Sequence, residues 1–202
     1  MTRKPVHLAL YDTWADWETG HATAHLALAG FEVRTATPGG RPVTSTGGLH
    51  AGPDLALEKL RPEDSSLLIL PGATAWDEGD DLAPVARTAR AFLDAGVPVA
   101  AICGATAGLA REGLLDDRAH TSAAAAPYLA ATGYAGAGRY VEADAVTDGP
   151  LVTAGPTEPV AFAREVLRLL GAYDDKAVDA WYRLFHHSDP AAYAEWTEAV
   201  SR

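Results

Sequence analysis

The sequence predicts an α/β protein whose strands are mostly parallel and joined by right-handed crossovers. Short apolar runs alternate along the chain with longer segments of helical period. Those runs end at turn signals such as Pro38-Gly39-Gly40 and Pro71-Gly72. At least two of them, Val6–Tyr11 and Val97–Ile102, read as buried strands.

The elements follow in order. After the first strand, Asp12 and Thr13 can cap a helix from Trp14 to about Ala29, which Gly30 ends. Phe31–Thr37 alternates as a strand does. Val43–Leu49, with Gly47-Gly48, reads as a hairpin or an irregular excursion. Leu67–Leu70 is a short strand, Leu82–Ala95 a helix closed by Gly96, and the helix after Cys103 runs to about Leu115. Asp116-Asp117 turns into a short strand near His120, and Ala123–Ala126 reads as a helix start. Tyr140–Thr147 and Leu151–Thr153 flank the hairpin signal Asp148-Gly149. Thr157, Glu158 and Pro159 open a helix to Leu170. Two further helical patterns form the tail, the last starting at Asp189-Pro190. We expect one domain over residues 1–202, with a helical extension from about Tyr173.

Composition narrows the function. Hydrophobic residues are 48% of the 202, enough for a sizeable core. The net charge is −11, so the chain gains nothing from phosphate backbones or an anionic membrane surface. The apolar stretch behind Met1–Val6 is too short for a signal core, and no run approaches a membrane span. One cysteine makes neither an internal disulfide nor a multi-cysteine zinc site. These features predict a cytoplasmic protein with neither nucleic acid nor membrane as a partner.

In a parallel sheet, ligands bind beyond the carboxyl ends of the strands. Three segments fall there: Asp12–Glu18, Pro71–Trp76 and Cys103–Thr106. Cys103 stands where a strand runs directly into a helix. Such an elbow needs small residues two places to either side, here Ala101 and Ala105, and Gly104 follows at once. The helix N-terminus favours a thiolate, which predicts a depressed thiol pKa. The alternative is a buried core cysteine. The N–H groups of Pro71-Gly72-Ala73 can face a developing oxyanion, the alternative being a plain loop.

Four stretches resemble the ThiJ/PfpI superfamily, which shares its fold with class I glutamine amidotransferase domains. They are YDTWADWE (Tyr11–Glu18), LPGATAW (Leu70–Trp76), AICGATAGLAREGLLDDR (Ala101–Arg118) and VTAGPTEPVAFAREVL (Val152–Leu167). The nearest resemblance is to bacterial proteins labelled glutamine-amidotransferase-like or protease, with a tail like Trp181–Phe185 here. The resemblance implies a flavodoxin-like doubly wound sheet with helices on both faces, a homodimer, and no cofactor. It implies Cys103 on an elbow and, at Glu18, a carboxyl that approaches the sulfur. That carboxyl donates only when protonated, which burial favours. The flanking Trp14, Trp17 and His21 suggest that this part of the helix is at least partly covered.

Two departures from the family stand out. Some branches have histidine directly after the cysteine, where this chain has Gly104. Others carry a histidine in the following strand, at a position matching Ala123. His120 lies three residues earlier, an offset of about 10 Å that also reverses the strand face. It is a candidate general base; the alternative is a packed strand histidine.

The expected catalytic set is Cys103, Glu18 and His120, with Gly72, Ala73, Gly104 and Trp76 around oxyanion and substrate. Trp76 walls the pocket or simply packs. His21 and His25 have metal-chelating spacing but lack an evident acidic third ligand, so no metal is expected. His186-His187 reads as a solvated helix end. Asp77–Asp81 is an acidic loop beside the pocket mouth, able to repel anions or simply solvated. The leading expectation is cysteine-dependent catalysis on a small carbonyl or acyl compound, by glyoxalase-like hydration or amide or ester hydrolysis. The rivals are a redox or stress-protective protein that oxidises the same cysteine reversibly, and a non-catalytic binding module.

Overall fold

A computed structural model describes residues 3–123, 129 and 133–200. Its strands are β1 (Val6–Ala9), β2 (Val33–Thr37), β3 (Val43–Thr44), β4 (His50–Ala51), β5 (Leu55–Ala56), β6 (Leu67–Leu70), β7 (Val99–Ile102), β8 (Ala145–Asp148) and β9 (Leu151–Ala154). Seven of them form one sheet in the order β5-β2-β1-β6-β7-β9-β8. Every pair in it is parallel except β8 with β9, a hairpin that pairs Asp148 with Leu151. β3 and β4 make a separate antiparallel hairpin, as the glycine pair suggested.

The helices are α1 (Asp16–Leu28), α2 (Ala83–Asp94), α3 (Gly104–Arg111), α4 (Pro159–Leu169), α5 (Asp175–His186) and α6 (Ala192–Val200). In α2 the positions Val85, Ala86, Ala89, Phe92 and Leu93 form one buried stripe, the helical signature of an amphipathic segment. Helices α1 and α4 pack together, as do α2 and α3, and β7 meets both pairs. All four residues of β6 and of β7 are fully buried, which is why they read as solid apolar runs. Among the described residues no helix is long and apolar enough to cross a membrane.

Several elements differ from expectation. Neither Asp12 nor Thr13 caps α1; its N-cap is Ala15, with no side-chain cap. Asp12 Oδ1 instead accepts the Thr44 N–H at 2.9 Å, and Thr13 turns the chain at φ 64°. His120 makes only a single parallel bridge, to Tyr140. Within Tyr140–Thr147, strand structure begins at Ala145. The expected helix start at Ala123–Ala126 lies, beyond Ala123, outside the described residues.

The two last helices fold back on α1. Trp181 is fully buried and donates its indole N–H to His25 Nε2 at 2.9 Å, while Tyr173 Oη donates to the His25 carbonyl at 2.9 Å. His21 lies edge-on to Trp181 and Phe185. The two α1 histidines are thus spent on packing the tail.

Candidate active site

Strands β1, β6 and β7 are neighbours, and the chain leaving their carboxyl ends supplies the site. Cys103 follows β7 with φ 59° and ψ −131°, a conformation that costs a non-glycine residue about 1–3 kcal/mol. Its neighbours hold it there. The Cys103 N–H donates to the Ala154 carbonyl at 3.0 Å, and Thr106 Oγ1 donates to the Cys103 carbonyl at 2.6 Å. Gly104 allows α3 to approach β6's loop: an added Cβ there would stand 3.1 Å from Trp76 Cβ and 3.3 Å from the Ala73 carbonyl.

Glu18 arrives from the first turn of α1 and is wholly buried. Its Oε2 accepts the Gly72 N–H at 2.6 Å; its Oε1 is buried without a partner. A Cβ on Gly72 would fall 2.9 Å from that Oε2, 2.9 Å from Cys103 Sγ and 2.8 Å from Cys103 Cβ. Sulfur, carboxyl and peptide therefore meet over an absent side chain.

Burial pushes the Glu18 carboxyl up to about 7, opposed by its hydrogen bonds with Gly72 and Cys103. Burial pushes the Cys103 thiol up to about 12, and the charge of Glu18 and a hydrogen bond to it add to the rise. The Gly104 N–H pulls the other way but does not win. The expected depression of the thiol is overturned: helix-end donors stabilise the thiolate less than desolvation and a neighbouring carboxylate oppose it. The sulfur is thus held as a thiol beside a carboxyl whose pKa is raised toward neutrality.

An open pocket of about 400 Å³ reaches the partly exposed Cys103, lined by Glu18, Gly72, Ala73, Cys103 and Gly104 with Trp17, Asp77 and Ala123 around them. The sequence profile of the DJ-1/PfpI family matches residues 4–169. This chain belongs to the DJ-1/PfpI family. An uncharacterized protease, YoaZ of Bacillus subtilis (strain 168), is 34% identical over 212 residues, covering 100% of both chains. The crystal structure of a ThiJ/PfpI family protein from Bacillus anthracis superposes with a TM-score of 0.92 at 34% identity, over 98% of each chain. The DJ-1 superfamily protein Atu0886 from Agrobacterium tumefaciens gives 0.80 at 38% identity, over 92% of this chain and 99% of that one. The mostly parallel seven-stranded sheet is the flavodoxin-like fold of these neighbours. Helices α5 and α6 lie beyond the stretch matched by the DJ-1/PfpI profile, yet the Bacillus relatives match this chain through its tail.

Within this DJ-1/PfpI frame the structure brings Cys103, Glu18, Gly72, Ala73 and Gly104 together and leaves two candidates outside. His120 is fully buried, bonds through Nδ1 to the Arg118 carbonyl at 2.7 Å, and packs between Tyr134 and Tyr140. Burial lowers its pKa. It does not line the pocket; Ala123 does. Trp76 does not wall the pocket either. It is 2% exposed and supports the elbow from behind, its Nε1 donating to Tyr11 Oη at 3.0 Å and to the Pro71 carbonyl at 3.1 Å. The Gly72 N–H is taken by Glu18, so of that turn only the Ala73 N–H makes no hydrogen bond to a described residue.

Sequence reasoning missed Trp17. It stands 53% exposed on the pocket rim, on a part of the helix expected to be at least partly covered. Its one available signal was its place next to Glu18 on a helix whose first turn carries the site.

Proposed function

We propose that the chain is a cysteine-dependent enzyme acting on a small carbonyl or acyl compound, by glyoxalase-like hydration or amide or ester hydrolysis. The observation that carries this reading is the meeting of Cys103 Sγ and the Glu18 carboxyl over Gly72. A thiol held near 12 needs a base at the moment of attack, and Glu18, raised to about 7, is the adjacent carboxyl able to take and return a proton near neutral pH. As sulfur bonds to the carbonyl carbon, the thiol proton passes to Glu18 and the C=O electron pair moves onto oxygen. The Ala73 N–H is the donor to that oxygen in this reading. Glu18 then returns the proton to the oxygen, closing the addition.

The described lining contains no imidazole, and of its two carboxyls Glu18 is the one beside the sulfur, so in this reading Glu18 carries the proton traffic. That suits addition to a carbonyl better than amide hydrolysis, which must also activate water and protonate a leaving amine. The test is turnover of methylglyoxal, small amides and peptides by the native protein and by Cys103→Ser. Turnover of any of them that vanishes in the variant is the expected result; turnover that survives in the variant overturns it.

A second reading is favoured by the raised Glu18 pKa. A carboxyl that keeps its proton near neutrality can donate to a sulfenate or sulfinate on Cys103, as a peroxide-responsive protein requires. A homodimer, expected to weigh about twice 21.1 kDa by light scattering, and a cytoplasmic setting that keeps the lone cysteine reduced belong to both readings.

A further inference from the structure

We infer that the Cys103 pocket selects an uncharged or cationic compound with a flat apolar substituent, seated against the Trp17 ring, and turns anionic compounds away. This rests on the proposed catalytic role of Cys103 and adds the substrate class to it.

Two independent features of the rim carry the inference. The first is Trp17. Of the tryptophans near the elbow, Trp14 is 6% and Trp76 2% exposed, and both serve the core. Trp17 is 53% exposed, lines the pocket, and makes no ring–ring or cation–π contact with a described residue. An indole left open beside a reactive thiol is a large, rigid apolar platform for a ligand. Ala15, Ala73 and Ala123 continue the apolar wall around it.

The second is charge. The ionisable groups of the described lining are Glu18, Asp77 and Cys103; Lys, Arg and His are absent from it. The segment 124–132 contributes no charged side chain to the sequence. Asp77 opens the acidic run through Asp81, and its charge reaches the sulfur, adding to the rise of the thiol. A carboxylate, phosphate or sulfonate on the ligand would meet two carboxyls and no cation of the described lining, in a protein of net charge −11. The other polar groups on the rim, Thr13, Thr46 and Thr74, are neutral hydroxyls that do not discriminate by charge.

The single cysteine makes the test direct. Three methanethiosulfonate reagents differ only in the group they carry: benzyl, trimethylammonioethyl and sulfonatoethyl. Each forms a disulfide with the Cys103 sulfur as its S–SO2 bond breaks and methanesulfinate leaves, the thiol proton passing to Glu18 or water. Rates are followed by intact mass at low ionic strength and divided by the rates with 2-mercaptoethanol. The benzyl and cationic reagents should exceed the sulfonate by about tenfold or more, and added salt should narrow the cationic advantage. Trp17→Ala should remove the benzyl advantage several-fold while Trp17→Phe retains most of it. Asp77→Asn should raise the sulfonate rate. Equal normalised rates for all three reagents on the native protein, or a faster sulfonate, overturn the inference. Labelling needs no turnover, so the two proposals fail separately. Selective labelling without turnover of any substrate counts against the enzyme and leaves the pocket's preference standing. Cysteine-dependent turnover with unselective labelling does the reverse.

Discussion

Cys103 Sγ and the Glu18 carboxyl arrive after β7 and β1, the two strands that flank β6, and both close on the same point above Gly72. The glycine is not there for an unusual backbone angle; its φ is not positive. It is there because a methyl group at that point would overlap the sulfur and the carboxylate together.

Gly72→Ala should therefore injure stability and reactivity at once. Forcing a methyl into contacts of 2.8–2.9 Å costs about 1–3 kcal/mol as an overpacked site. Displacing the sulfur and carboxyl from each other should lower turnover on the best substrate by about a hundredfold. Thermal melting and turnover on the same preparation check both. A variant with native turnover would mean that the two groups need not meet there.

The pH dependence of alkylation separates a thiol from a thiolate. With the sulfur pushed to about 12, the iodoacetamide rate should have its midpoint above the free-thiol value of roughly 8.5. Glu18→Gln removes the neighbouring charge and should bring the midpoint down, while burial keeps it above the free value. If Glu18 is the base, kcat/KM should rise through a pH of about 7. A native midpoint below 8.5 would reinstate the helix end as the dominant influence.

Glu18→Gln also divides the two functional readings. An amide cannot take and return a proton, so turnover should fall by about a hundredfold or more. It can still donate to a sulfur oxyanion, so the peroxide-dependent mass increase on Cys103 should persist. Native turnover in this variant would remove Glu18 from the proton traffic.

His25 gives a stability prediction. Its folded pKa is lowered to about 4 by burial and then by His21, against an unfolded value of 6.5. A depressed folded value means that the unfolded chain binds the proton first. The contribution is complete above pH 6.5 and is lost as pH falls through about 4, amounting to about 3 kcal/mol. His25→Gln still offers an oxygen to the Trp181 indole and does not titrate. The native protein should lose more stability than this variant between pH 7 and pH 4, as read by chemical denaturation. Parallel losses would show that His25 is not the group responsible.

The sequence made the sheet legible because its inner strands are buried on both faces. Leu67–Leu70 is apolar at every position and is a strand over the same four residues. The elbow was legible because its requirement for small neighbours is local. What escaped was set by distant partners. Asp12 looked like a helix cap, but its carboxyl goes to a peptide 32 positions away. The helix end argued for a thiolate, whereas the burial that raises the thiol comes from the whole fold. Trp17 sits close to buried residues in sequence, and only the turn of α1 shows that it faces outward.

The bond between His25 and Trp181 spans 156 positions of chain. During synthesis α1 emerges early, but its partner indole leaves the ribosome only near the end. The helix that carries Glu18 thus waits for almost the whole polypeptide before its outer face is covered. A premature stop between α4 and α5 would spare every residue of the reactive pocket and still be a folding lesion, with the damage beginning at the helix that holds the carboxyl.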